Sequence, residues 1–250
     1  MARRNRKTLK NFFEKGQMPT QENFSDLIDS MVNIVDEGFS KSINEGLEIS
    51  SIGESSKLIS FFRDIEDKSP IWSCEIDKNN NNNLSFTNKK GDNILVLSEE
   101  GRVGVGTKTP DTALDVNGIM SYKGRLGTYK SGLVPANGKW QSLITGLDGC
   151  NAFEIMAGVG KKKSGKYSLV HAFALNTFNS ESRIYYHQSF FKTLCNTIKL
   201  QWVGSMHDYS LEMKTRSDYG DDIFISYSIA QLWFDPFMDE CFKPKSDTNE

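Results

Sequence analysis

The sequence predicts a mainly β protein with a helical N-terminal anchor, a short β-stalk and a C-terminal antiparallel β-sandwich knob. Three observations carry that prediction. Apolar residues recur at three- and four-residue spacing only in the first part of the chain. From Trp72 to Val116 they fall in short runs broken by Gly, Asn and Asp, and beyond residue 121 in longer alternating runs between turn signals.

Residues 1–68 read as a helical docking segment. Pro19-Thr20 offers a helix start, and Phe24, Leu27, Ile28, Met31, Ile34 and Val35 follow on one stripe, with Gly38 as the stop. Leu58, Ile59, Phe61, Phe62 and Ile65 repeat the pattern more briefly. Such stripes ordinarily pack on a chain's own core. Phe24, Ile28, Met31 and Val35 approach a heptad seam, though over fewer than three heptads; with Leu27 they are the candidate docking residues.

Residues 69–120 change character. Trp72, Cys74 and Ile76 alternate with polar neighbours, Asn79 to Asn83 form a solvated loop, and Leu84–Thr87 and Asn93–Ser98 read as strands around the turn at Lys90-Gly91-Asp92. The segment Gly101 to Gly118, GRVGVGTKTPDTALDVNG, alternates small residues with valines and turns at Pro110-Asp111. Gly104 and Gly106 take side chains off the strand, marking a bulge or a close backbone approach. Strands this short offer too little apolar area to offset about 1–2 kcal/mol of backbone entropy per ordered residue. Other chains are expected to supply the remainder, burying Val103, Val105, Leu114 and Val116 together.

This segment closely resembles the G-x-V-G-I-G-T-x-x-P-x-x-x-L-D-V-x-G box of bacteriophage tail fibres and related bacterial fibre and adhesin proteins, with Val105 in place of the usual isoleucine. The resemblance implies a narrow trimeric stalk before a distal domain, with Val103, Gly104, Val105, Gly106, Pro110, Leu114 and Val116 as its stalk residues. More loosely, Phe12 to Ser30 is similar to the opening of fibre-like proteins of Bacteroidetes-type bacteria. That similarity implies an adapter docking on a phage tail or a phage-like contractile injection system.

Residues 121–242 read as one all-β knob. Its strands are Lys139–Ile144, Ala152–Val159, Tyr167–Asn176, Arg183–Phe191, Ile198–Gly204, Tyr209–Arg216 and Ile223–Phe234. In Leu211–Arg216 the alternation of Leu, Met and Thr with Glu, Lys and Arg gives one buried and one wet face. Residues 243–250 form a polar tail.

Composition narrows the function. With 38% hydrophobic and 25% charged residues the 250-residue chain can fold, and its net charge of −2 gives no basic field for nucleic acid or a membrane surface. No stretch of about 18 apolar residues occurs, so no membrane insertion is expected. Met1 to Lys7 is basic, but the following residues lack the apolar run of a secretion signal. Cys74, Cys150, Cys195 and Cys241 stand far apart and read as thiols of a chain made in the cytoplasm.

Candidate chemistry is sparse. Gly160-Lys161-Lys162-Lys163-Ser164-Gly165-Lys166 satisfies GxxxxGK, yet Tyr167 replaces the magnesium-binding Ser or Thr and the sequel reads as strand. A basic hairpin tip, with Lys161, Lys162, Lys163 and Lys166 touching an acidic partner or surface glycan, is the better reading. His171, His187 and His207 lack metal-ligand spacing. Cys195 with His187 could form a nucleophile pair. Asp221-Asp222 with Asp235 could cleave glycosides. Tyr185, Tyr186, Trp202, Tyr209, Tyr227 and Trp233 could stack on sugars, though most are assigned to the core. No catalytic residue, cofactor or metal is expected. The expected role is a homotrimeric fibre accessory of a phage tail or phage-derived injection apparatus, attached to a baseplate or tail component and contacting a cell-surface glycan or protein. A polysaccharide-degrading tailspike or delivered effector, and an internal assembly protein, are the rival readings.

Overall fold

The computed structural model describes residues 4–31, 38–64, 66–78 and 81–242. Its contacts divide the chain into two units, Met1–Ser121 and Tyr122–Glu250. The protein is mainly β, as its patterning predicts.

The first unit opens with α1 (Arg6–Phe12) and α2 (Gln21–Asp29). The predicted start of α2 holds for a local reason. The Thr20 N–H donates to Asn23 Oδ1 at 2.9 Å, and the Asn23 N–H donates to Thr20 Oγ1 at 3.4 Å, closing a capping box. The helix ends at Asp29, well before Gly38, and the Ser30 hydroxyl donates back to the Asp26 carbonyl at 2.6 Å. Ile34 and Val35 lie outside the described residues.

Helical character does not extend to residue 68. Residues beyond Gly38 form strands: β1 (Phe39–Ser42) and β2 (Gly46–Ile49) make a hairpin, and β3 (Lys57–Phe61) joins a larger sheet. The expected helix over Leu58–Phe62 is thereby corrected, and Ile65 lies outside the described residues. In so short a run, apolar spacing does not distinguish helix from strand, and the deciding partner of β3 is β4 (Trp72–Ile76), farther along the chain. The sheet continues through β5 (Leu84–Asn88), β6 (Asn93–Leu97), β7 (Val103–Val105) and β8 (Leu114–Val116), each beside its sequence neighbour. All pairs are antiparallel except β7–β8, which is parallel and therefore needs the crossing loop 106–113.

The second unit is a sandwich with its own core. Strands β9 (Lys130–Pro135), β10 (Gln141–Leu147), β11 (Cys150–Lys161), β12 (Lys166–Thr177), β13 (Arg183–Phe190), β14 (Ile198–Ser205), β15 (Asp208–Thr215) and β16 (Phe224–Gln231) form two antiparallel sheets. Their orders are β13-β12-β11-β16-β9 and β10-β15-β14. Phe153, Ile155, Val170 and Ile229 from the five-stranded sheet meet Ile198, Leu211 and Met213 from the three-stranded one, all fully buried. Each such side chain stabilises the fold by about 1.5–3 kcal/mol relative to exposure. The seven expected strands are present, and β9 is an eighth.

Two buried tyrosine hydroxyls in this core are paired, whereas Ser168 Oγ and Trp202 Nε1 have no hydrogen-bond partner among the described residues. The Tyr209 hydroxyl donates to the Gly149 carbonyl at 2.9 Å and accepts from Asn151 Nδ2 at 2.7 Å. The Tyr219 hydroxyl donates to the Asn196 carbonyl at 2.7 Å, and burial pushes its pKa up to about 12.

Candidate functional site

The most distinctive surface of the first unit is one face of its six-stranded sheet. Residues opposite one another in register share a face. One row runs Ile59, Cys74, Phe86, Leu95, Val105, Val116 across all six strands, and beside it Ile76, Leu84, Leu97, Val103 and Leu114 form a second. Phe61 and Trp72 sit opposite each other at one end. The reverse face carries Lys57, Glu75, Ser85, Val96, Gly104 and Asp115 in a single row.

Burial is inverted relative to this chemistry. On the polar face Ser73, Thr87, Val96 and Gly104 are buried, whereas on the apolar face only Cys74 is. Trp72 is 44% exposed and Leu114 56%. The exposed parts of this face come to on the order of 600 Å² of apolar surface, at the upper end of what a soluble monomer carries. The stalk valines and Leu114 thus share a face as expected, with Val105 and Leu114 exposed and Val103 and Val116 half-buried.

The two box glycines make close approaches within the chain. A Cβ on Gly104 would stand 2.8 Å from the Thr107 carbonyl oxygen, so its bare face accommodates the chain's own crossing loop. Pro110 in that loop is buried, and its carbonyl accepts from Arg102 Nη1 at 3.1 Å. Gly106 has φ +71°, which an L-residue adopts only under strain, and its carbonyl accepts from Asn117 Nδ2 at 3.2 Å.

Of the docking stripe, Phe24, Ile28 and Met31 are exposed and Leu27 is half-buried; Val35 lies outside the described residues. Phe24 meets Phe13 edge-on at 5.4 Å, and Arg4 Nε pairs with Asp26 at 3.0 Å, so the segment before α1 is tied to α2.

In the second unit the GxxxxGK stretch is a hairpin tip between β11 and β12, and the chain after Lys166 is strand. Lys161, Lys162 and Lys163 are exposed there. Lys166 differs: its ammonium donates to the Asp218 carbonyl at 2.7 Å and stands over the Tyr219 ring, so it holds the neighbouring turn.

The other candidate groups are dispersed. Asp221-Asp222 and Asp235 lie at opposite ends of β16, whose eight residues span roughly 26 Å at strand geometry. Asp235 also accepts from the Asp239 and Glu240 N–H groups at 3.0 Å. Cys195 sits in an exposed turn, while His187 lies opposite His171 in the β12–β13 ladder. Tyr209 and Tyr227 are core residues and Trp202 packs on Phe153 and Tyr209, leaving Tyr185, Tyr186 and Trp233 exposed.

Sequence reasoning missed one polar cluster. Glu154 points from the central strand β11 to the outer face of the five-stranded sheet, yet it is buried. Arg125 Nη2 bonds both its oxygens, at 2.5 and 2.6 Å, and His171 Nε2 lies 2.8 Å away. The segment carrying Arg125 lies flat on the sheet: a Cβ on Gly127 would come 2.5 Å from the Ala230 nitrogen. The only trace in the sequence is a glutamate in an otherwise apolar strand.

No protein-family model and no curated protein matches the sequence. Among solved structures, this chain is similar to the tailspike protein of Acinetobacter phage vB_ApiP_P1 at a TM-score of 0.30 and 12% identity, over 51% of this chain and 26% of that one, a likeness too distant to speak to fold or role.

Proposed function

We propose that this protein is a structural fibre, or fibre-like accessory, of a phage tail or phage-derived injection apparatus. Its N-terminal helices attach it, three copies join through the six-stranded sheet, and the knob contacts a surface or another component. The observation that carries this reading is the inverted sheet of the first unit. A chain that runs its own loop over the polar face and leaves ten of eleven apolar ladder positions partly or wholly exposed in two adjacent rows is built for other chains to complete it.

The resemblance of Gly101–Gly118 to the fibre box supports the same assignment and supplies the number three. Exposed Phe24 and Ile28 on α2, with Met31 just past its end, suit docking of an amphipathic helix in an apolar groove. The work done is attachment: three weak knob contacts on one stem exceed a single contact by orders of magnitude through effective concentration. The test is the mass of the purified full-length chain by light scattering. Three chains are expected, and a monomer at micromolar concentration overturns the reading.

A further inference from the structure

We infer that the outer face of the knob's five-stranded sheet is a second contact surface between copies of this chain. This inference rests on the trimeric reading above and extends it from the first unit to the second. The inner face of that sheet is filled by the three-stranded sheet, so its outer face would be expected to be polar. It carries large exposed apolar side chains among its serines and histidines.

The ladder places the outward residues in rows. One row runs Leu133, Ser226, Gly158, Leu169, Ser189, and the next Ser131, Ser228, Met156, His171, His187. Small residues at Ser226, Gly158 and Ser228 make a floor, while Leu133 and Leu169 stand as walls. With Leu126 and Met156 they enclose a cleft of about 530 Å³. A second cleft of about 390 Å³ shares Met156 and Ser228 with it and reaches Glu154 and Arg125. Phe173 and Tyr185, opposite each other in register, continue the apolar surface to the sheet edge.

Size and charge favour a copy of this chain as the occupant. Leu133 is 65% exposed, Leu169 55% and Tyr185 60%. With Leu126, Phe173 and Leu175 they present on the order of 700 Å² per chain, close to the roughly 800 Å² that each partner gives a standard stable interface. The charge inside the patch is already neutralised, since Glu154 is held by Arg125 and faced by His171. Nothing at its centre calls for an external counter-charge, as an acidic or basic receptor would require. Glu154 is instead fixed by its own chain, which leaves the apolar walls to make the contact.

The full-length chain is compared by light scattering and sedimentation over a dilution series as wild type, as Leu133→Glu with Leu169→Glu, and as Val105→Asp with Leu114→Asp. Leu133 and Leu169 are open enough for glutamate to fit, and Leu133→Ser with Leu169→Ser serves if the first pair misfolds by circular dichroism. The expected result is that the outer-face pair raises the concentration at which the oligomer dissociates at least tenfold. If the pair leaves that concentration unchanged while the Val105 and Leu114 pair abolishes assembly, the outer face is not an interface and the stalk reading stands. If the outer-face pair dissociates the oligomer and the Val105 and Leu114 pair does not, the stalk reading fails alone. A monomeric wild type overturns both. Binding of cell-surface polysaccharide by the wild type, lost in the outer-face pair with assembly unchanged, assigns the face to a receptor and overturns the inference.

Discussion

The two units of this chain treat the apolar face of a sheet in opposite ways. In the second, the five-stranded sheet meets a three-stranded sheet of the same chain, and Phe153, Ile155, Leu211 and Met213 are lost from solvent. In the first, ten of the eleven apolar row positions stay partly or wholly exposed among the described residues, and the loop between β7 and β8 crosses the polar face. A β domain can thus be complete in one chain or can reserve its core for association. Which of the two applies is written in the side to which loops return, not in hydrophobic content.

This contrast can be broken most forcefully in the knob. Phe153→Ala removes a fully buried ring that packs against Tyr129 and Trp202 and should cost the second unit about 3–5 kcal/mol in chemical denaturation. A loss below 1 kcal/mol would mean that the knob, too, lacks a self-sufficient core.

Alkaline pH gives the next largest effect and separates the units without mutation. All eight tyrosines lie at Tyr122 or later, so none belongs to the first unit. Tyr219 ionises near 12 in the fold, and burial also raises Tyr209 and Tyr227. Because the folded pKa is the higher one, this stability is fully present below the unfolded value of about 10 and is lost as pH rises toward 12. For Tyr219 the loss is about 2–3 kcal/mol. Calorimetry between pH 10 and 12 should show the knob transition falling faster than that of the first unit; parallel shifts would contradict the assignment.

Dilution gives the smallest shift and bears most directly on the first unit. For a trimer that unfolds as it dissociates, a tenfold dilution lowers stability by about 1 kcal/mol per chain. The melting of the first unit should move accordingly, and a melting temperature independent of concentration would place its core inside one chain.

Local chemistry was legible in the sequence and distant chemistry was not. Thr20 and Asn23 announce a helix start because both halves of the cap lie within four residues. The alternation in β15 announces its buried face for the same reason. Residues 57–61 misled because five residues sustain either period, and only β4 decides between them. Strand β9 went unread since Lys130–Pro135 holds both Gly132 and Pro135; the ladder tolerates them because β9 is an edge strand. Among the site residues, the shared face of Val103, Val105, Leu114 and Val116 followed from alternation. The role of Gly104 depended on where Thr107 returns, and the Arg125–Glu154 pair on a separation of 29 residues.

The neighbour-to-neighbour order of the six-stranded sheet also bears on timing. Every pairing in it joins strands adjacent in sequence, so loop-closure entropy is small and the sheet can form quickly. The knob must bring β11 against β16, whose paired residues Ile155 and Ile229 are 74 positions apart, and β10 against β15. Under the trimeric reading proposed above, the sheet strands of a newly made chain would be ready to pair and meet other copies while its knob is still condensing. Chains made close together, as on one polysome, would find each other in that interval; isolated chains at low abundance would be exposed to misassembly, so synthesis rate becomes a determinant of yield.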